Sequence, residues 1–116
     1  MTVFSYLIVG HFIGDFLFQT NWMALHKAKK WSPLLIHCLV YTGIVVCVAF
    51  IGGFKLPIGA VLFLFLSHVV LDRRTFVVWW AHHVMGAIDS KLAWLTIVAD
   101  QVFHLVVLAV VAHLWF

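Results

Sequence analysis

Apolar residues run in four long stretches, at about 3–23, 34–54, 57–73 and 93–116, separated by short polar connections. Each approaches the roughly 20 residues that a helix needs to cross the hydrocarbon of a bilayer, so the pattern predicts four membrane-spanning helices. The punctuation agrees. Ser32 before Pro33 reads as an N-cap followed by the first helical residue, and Pro57 plays the same first-turn role after the break at Gly52 and Gly53. Residues 75–89, TFVVWWAHHVMGAID, are too short to cross; with Trp79, Trp80, His82 and His83 they have the composition of a helix lying in the interface. The expected fold is an all-α integral membrane protein: a four-transmembrane-helix bundle with a short interfacial helix between spans three and four, forming one domain over residues 1–116.

Composition strengthens this reading. The 116 residues are 66% hydrophobic and only 9% charged, with a mean hydropathy of +1.14. A soluble domain carries about 25% charged residues. No basic residue precedes the first stretch and no small-residue cleavage pattern follows it, so that stretch is expected to be a retained span and not a signal peptide. The net charge of +3 does not call for a nucleic-acid partner, because the basic residues fall where topology places them. Lys27, Lys29 and Lys30 lie in the first connection and Arg73, Arg74 and Lys91 in the third, against Lys55 alone in the second. By the positive-inside rule the first and third connections are cytoplasmic and both termini face outward. Cys38 and Cys47 share one stretch without a CxxC pairing and read as packing residues. The tryptophans sit near span ends, as an aromatic belt requires.

Ionisable residues within spans cost roughly 2.5 to 3.5 kcal/mol each, so their positions carry most of the functional information. Span one holds His11 and Asp15, span three His68 and Asp72, span four Asp100 and His104. Every pair is four residues apart, which puts both side chains on one helix face a turn apart. Span two adds His37, with Tyr41 one turn on, and span one continues through Gln19. Counting about 1.5 Å of rise per residue, all seven His and Asp side chains fall at or below mid-membrane on the cytoplasmic side. One shared site is expected there, inside the bundle.

Four histidines and three aspartates converging from four helices match the donor chemistry of interior metal sites in carboxylate helix bundles, and the set suits zinc or a similar divalent ion, one or two per chain. Two divalent ions, three carboxylates and one hydroxide sum to zero, the arrangement that low dielectric favours. Two other readings remain open: three neutral His/Asp pairs forming a proton relay or ion-transport path, and the same pairs as a structural network. A bis-histidine haem gives no reason for the aspartates. His11, Asp15, His37, His68, Asp72, Asp100 and His104 are the expected metal ligands, with Asp100 or Asp72 as general base. Gln19, Tyr41 and Gln101 are expected to orient ligands or to hydrogen-bond an oxyanion. Gly10 and Gly14 form a GxxxG pattern that lets a neighbouring helix approach closely. His26, His82, His83 and His113 lie outside this set.

The runs HFIGDFLFQTNW, HCLVY, HVVLD and DQVFHL, in that order, resemble the small bacterial and phage-associated membrane proteins of domain-of-unknown-function family 3307. The resemblance covers nearly the whole chain and implies a bacterial inner-membrane protein in which the ten polar residues from His11 to His104 named above are the pattern positions. A looser similarity to small membrane proteins labelled metal-dependent hydrolases implies hydrolysis; with the cluster at a common depth on the cytoplasmic side, the expected reaction is that of an ester or phosphoester at the cytoplasmic side or inner leaflet, on a lipid-linked or amphipathic substrate. The alternatives are a proton- or divalent-metal-coupled transport protein and a structural membrane interaction protein. The expected partners are the lipid bilayer and, for a chain this small, further copies of itself.

Overall fold

The computed structural model describes residues 1–116. It is entirely helical, with 79% of the chain in helix and no strand. Helix α1 (Val3–Phe12) runs directly into a π-helical turn at Ile13–Leu17, followed by α2 (Asn21–His26), α3 (Trp31–Ile51), α4 (Ile58–Asp72), α5 (Thr75–His83), a 3-10 turn at Ser90–Leu92 and α6 (Ala93–Trp115).

The first expected stretch is two helices and not one. The chain leaves helical geometry at Phe18 (φ −112°, ψ 11°), and the Thr20 hydroxyl caps α2 by accepting the Met23 N–H at 3.3 Å. A threonine that satisfies a free N–H in this way favours a new helix start over continuation. Pro33 is the third residue of α3, behind Lys30 as N-cap, and Pro57 is the extended N-cap of α4 (ψ 160°) instead of its first residue. Both positions tolerate a missing N–H, since the first turn has no intrahelical acceptor for it. The expected segment at 75–89 forms a helix only as far as His83.

Helix α1 packs on α3, α3 on α4, α4 on α6, and α6 returns to α1, closing a four-helix ring; α2 rests against α3, and α5 against α4 and α6. Gly10 of α1 and Gly14 of the π turn permit close approach to α3. A Cβ on Gly10 would stand 3.0 Å from Val45 Cα, and one on Gly14 3.0 Å from Tyr41 Cδ2. Two helices, Trp31–Ile51 and Ser90–Trp115, are long and apolar enough to cross a membrane; Val3–Leu17 and Ile58–Asp72 are apolar but shorter. At 1.5 Å per residue the 15 residues of α4 reach about 22 Å, less than the ~30 Å of a typical hydrocarbon core.

The polarity of the bundle is inverted relative to a soluble protein. Phe50, Leu62, Leu66, Val102 and Val106 are exposed on its outside, whereas His11, Asp15, His37, His68, Asp72 and His104 are buried within it. An apolar core of Leu7, Val45, Ala49, Ala60, Leu64, Leu108 and neighbours fills the end near the chain termini. The polar residues gather at the opposite end, where α1 passes into its π turn, α3 begins and α4 ends.

Candidate metal centre

Four side-chain atoms from four positions meet at one point: Asp15 Oδ1 on the π turn, His37 Nε2 in the second turn of α3, and His68 Nε2 and Asp72 Oδ2 one turn apart at the end of α4. His37 Nε2 lies 3.0 Å from Asp15 Oδ1, 2.9 Å from Asp72 Oδ2 and 3.1 Å from His68 Nε2. His68 Nε2 lies 3.3 Å from Asp15 Oδ1 and 3.1 Å from Asp72 Oδ2. Five of the six separations are thus 2.9–3.3 Å, and the four ligand atoms all lie within 4.8 Å of one another. A tetrahedral zinc with bonds of about 2.0–2.1 Å separates its ligand atoms by about 3.3–3.4 Å, close to these five distances. Each Nε2 carries at most one proton, so the two histidines offer two N–H donors to five contacts, which a bound cation or shared hydrogen bonds would satisfy.

A second group shares Asp72 with the first and adds Asp100 and His104. His104 Nδ1–H donates to the Asp100 carbonyl at 2.7 Å, so a neutral ring carries its lone pair on Nε2. That lone pair faces Asp72 Oδ1, another acceptor, at 3.1 Å. A proton or a cation must lie between or beside them, and a backbone carbonyl on the far nitrogen is the usual support of a metal-binding histidine. Asp72 thus presents Oδ2 to the four-atom set and Oδ1 to His104, the disposition of a carboxylate that bridges two cation positions. Asp100 Oδ1 is buried and has no hydrogen-bond partner.

Of the remaining expected residues, His11, Tyr41 and Gln101 pack around the cluster and Gln19 stands apart from it. His11 Nε2–H donates to Gln101 Oε1 at 2.9 Å, which leaves His11 Nδ1 to accept the Tyr41 hydroxyl at 2.8 Å. Both of its nitrogens are engaged, and it belongs to neither cation group. His11 was expected as a ligand on its spacing from Asp15; in the fold it is 3.8 Å from that carboxylate and serves as a strut between α3 and α6. The Tyr41 ring stacks on His68 at 3.7 Å and 8°, so one side chain orients two histidines. Gln101 Nε2 reaches Asp100 Oδ2 at 3.4 Å. Gln19 does not touch the cluster and instead lines a cleft above it, with its Oε1 buried and unpartnered.

The chain belongs to the DUF3307 family. The family pattern, described as a protein of unknown function, matches residues 3–116. No curated protein and no solved structure matches it. In this DUF3307 chain, Lys27 joins the site although the sequence assigned it only to topology: its Nζ donates to Asp72 Oδ2 at 2.9 Å from a half-buried position on the C-cap of α2. The available signal was its place in the first connection, on the side to which the sequence assigns the His/Asp residues. Cys38 is buried and Cys47 exposed, and both are free thiols. His82, His83 and His113 are exposed and His26 half-buried, and none belongs to either cation group.

Proposed function

We propose that the chain is a four-span membrane protein of the bacterial inner membrane whose bundle holds two divalent cations, best suited by zinc, and that it hydrolyses an ester or phosphoester at the cytoplasmic face. The observation that carries this is the pairing of a closed four-ligand set (Asp15, His37, His68, Asp72) with a three-ligand set (Asp72, Asp100, His104) through one shared carboxylate. Closed sets hold structural ions, and three-ligand sets leave a position for water or substrate. Mixed imidazole and carboxylate donors at this spacing suit zinc, whereas the 2.3–2.6 Å bonds of calcium would push the four atoms apart by roughly half an ångström or more.

When bound, a divalent ion held by Asp72, Asp100 and His104 would supply Lewis-acid chemistry. The chain's own residues do the rest. Asp72, engaged on both oxygens, holds the two positions in register. Asp100 lines the cleft and retains a free oxygen, so it is the residue placed to take the proton of an attacking water. His11, Tyr41 and Gln101 fix the rings and the carboxylate so that this geometry precedes substrate. The outward apolar surface and the two full-length helices support insertion, with α1 and α4 completing the four spans and both termini outside the cytoplasm.

The test is turnover of p-nitrophenyl phosphate and p-nitrophenyl butyrate by zinc-loaded protein in detergent. Hydrolysis is expected to vanish on chelation, to return with zinc, and to fall by at least about a hundredfold in Asp100→Asn. Turnover that survives chelation overturns the metal-dependent reading, and turnover that survives Asp100→Asn removes Asp100 as the base. Zinc or proton flux in proteoliposomes without any turnover replaces it with transport.

A further inference from the structure

A cleft of about 240 Å³ opens directly above the cation positions, lined by Asp15 and Asp100 from the two ligand sets and by Gln19, Lys27 and Arg74. Lys27 is anchored on Asp72. Arg74 is half-buried, and its guanidinium makes no hydrogen bond or ion pair. It also adopts φ +69°, the one left-handed non-glycine residue in the chain, at the corner between α4 and α5. Left-handed geometry is unfavourable for a residue with a Cβ, and such strain persists where the surroundings hold it in place. Here it turns an arginine, two residues beyond Asp72, over the cleft.

We propose that this cleft is a phosphate subsite and that the substrate class of the hydrolase is the phosphoesters, with Lys27 and Arg74 on the anionic oxygens and Gln19 Oε1 accepting from a hydroxyl of the esterified alcohol. The inference rests on the metal reading above and narrows it. Three ligand carboxylates, Lys27 and Arg74 leave the region with one net negative charge, which repels an anion; two divalent cations change this to three net positive charges. A carboxylic ester has no use for that surplus, whereas a phosphoester matches it, and a planar guanidinium is suited to paired phosphate oxygens. Anion binding is therefore conditional on the metal.

The experiment uses cobalt(II)-loaded full-length protein in detergent, with metal content measured separately and the cobalt visible absorption followed as inorganic phosphate is added. Wild-type protein is expected to bind phosphate. Lys27→Met and Arg74→Gly are expected to keep the full cobalt content and to weaken phosphate at least about tenfold, the effect of losing one charged hydrogen-bond donor. Glycine relieves the left-handed corner, so Arg74→Gly separates loss of the guanidinium from loss of fold. Full cobalt with unchanged phosphate affinity in both variants overturns the subsite and leaves the metal reading standing. No cobalt in the wild type overturns both. Glycerol 3-phosphate and phosphatidic acid in mixed micelles distinguish the sources: binding of either, lost in both variants, supports the subsite and names a soluble ester or a lipid headgroup, and binding of neither overturns it.

Discussion

Asp72→Asn is the sharpest perturbation of the centre, because this one side chain faces four partners. Oδ2 lies 2.9 Å from Lys27 Nζ, 2.9 Å from His37 Nε2 and 3.1 Å from His68 Nε2, while Oδ1 lies 3.1 Å from His104 Nε2. Asparagine keeps the volume but removes the charge and replaces one acceptor with a donor pointed at another donor or at a cation. The closed set is left with Asp15, His37 and His68, and the open set with Asp100 and His104. Removing one partner from a buried charged set costs about 3–5 kcal/mol, which is on the order of a hundred- to a few-thousand-fold in zinc affinity. Both ions are therefore expected to leave together. Asp15→Asn and Asp100→Asn, each belonging to one set, are expected to lose one ion and keep the other.

The assay is elemental analysis after equilibration of detergent-purified protein against buffered zinc, with helical content checked by circular dichroism. The expected contents are two equivalents for wild type and for the exposed control Asp89→Asn, one for each of the single-set variants and none for Asp72→Asn. If Asp72→Asn holds as much zinc as Asp89→Asn, the bridging geometry is wrong. If Asp15→Asn and Asp100→Asn each lose both ions, the two sets are not separate positions.

Tyr41→Phe keeps the ring stacked on His68 but leaves the buried His11 Nδ1 without its donor; since His11 belongs to neither cation group, zinc content is expected to be unchanged while stability falls by about 1–3 kcal/mol, read as a lower melting temperature. Gly14→Leu drives a side chain into Tyr41, whose Cδ2 would be 3.0 Å and Cα 3.3 Å from the new Cβ; a loss of about 1–3 kcal/mol is expected as a lower melting temperature in detergent. Arg74→Gly releases the φ of +69° and is expected to raise stability by about 1 kcal/mol in the same measurement. A fall in melting temperature of Arg74→Gly would show that the arginine side chain supports the fold.

The His and Asp spacings were informative because a helix converts a four-residue separation into one face whatever the helix's exact ends. His68 and Asp72 both reach the closed set in this way, and Asp100 and His104 both reach the open one. His11 and Asp15 obey the same spacing but part company, since the helix becomes π-helical at Ile13 and the wider turn carries Asp15 toward α4 while His11 stays between Tyr41 and Gln101. Periodicity does not encode that change of pitch. Nor does it encode the break at Phe18, which folds α2 against α3 and delivers Lys27 to Asp72. Lys27 and Arg74 were read as topological charges because the sequence gives the side of the membrane on which a basic residue lies but not the backbone turn that aims it.

The inverted polarity of the bundle ties the metal to the fold. In lipid the outward Phe, Leu and Val residues gain little from helix association, since acyl chains are as apolar as a neighbouring helix. What selects this arrangement is close packing at Gly10 and Gly14 together with the satisfaction of a polar cluster drawn from α1, α3, α4 and α6. That cluster brings three carboxylates together with Lys27 as its only ammonium; were the bundle in lipid, dispersing the helices would cost little apolar burial but expose each carboxylate to hydrocarbon. Cation binding to the closed ring alone therefore adds its full binding energy to stability, about 2.7 kcal/mol at a free concentration a hundred times the dissociation constant. Zinc is expected to raise the melting temperature of the wild type by several degrees and that of Asp15→Asn by less, while Asp72→Asn shows no shift. An equal shift in all three would mean that zinc acts elsewhere, at the exposed His82 and His83 for example, and the buried cluster would then stand as a hydrogen-bonded network.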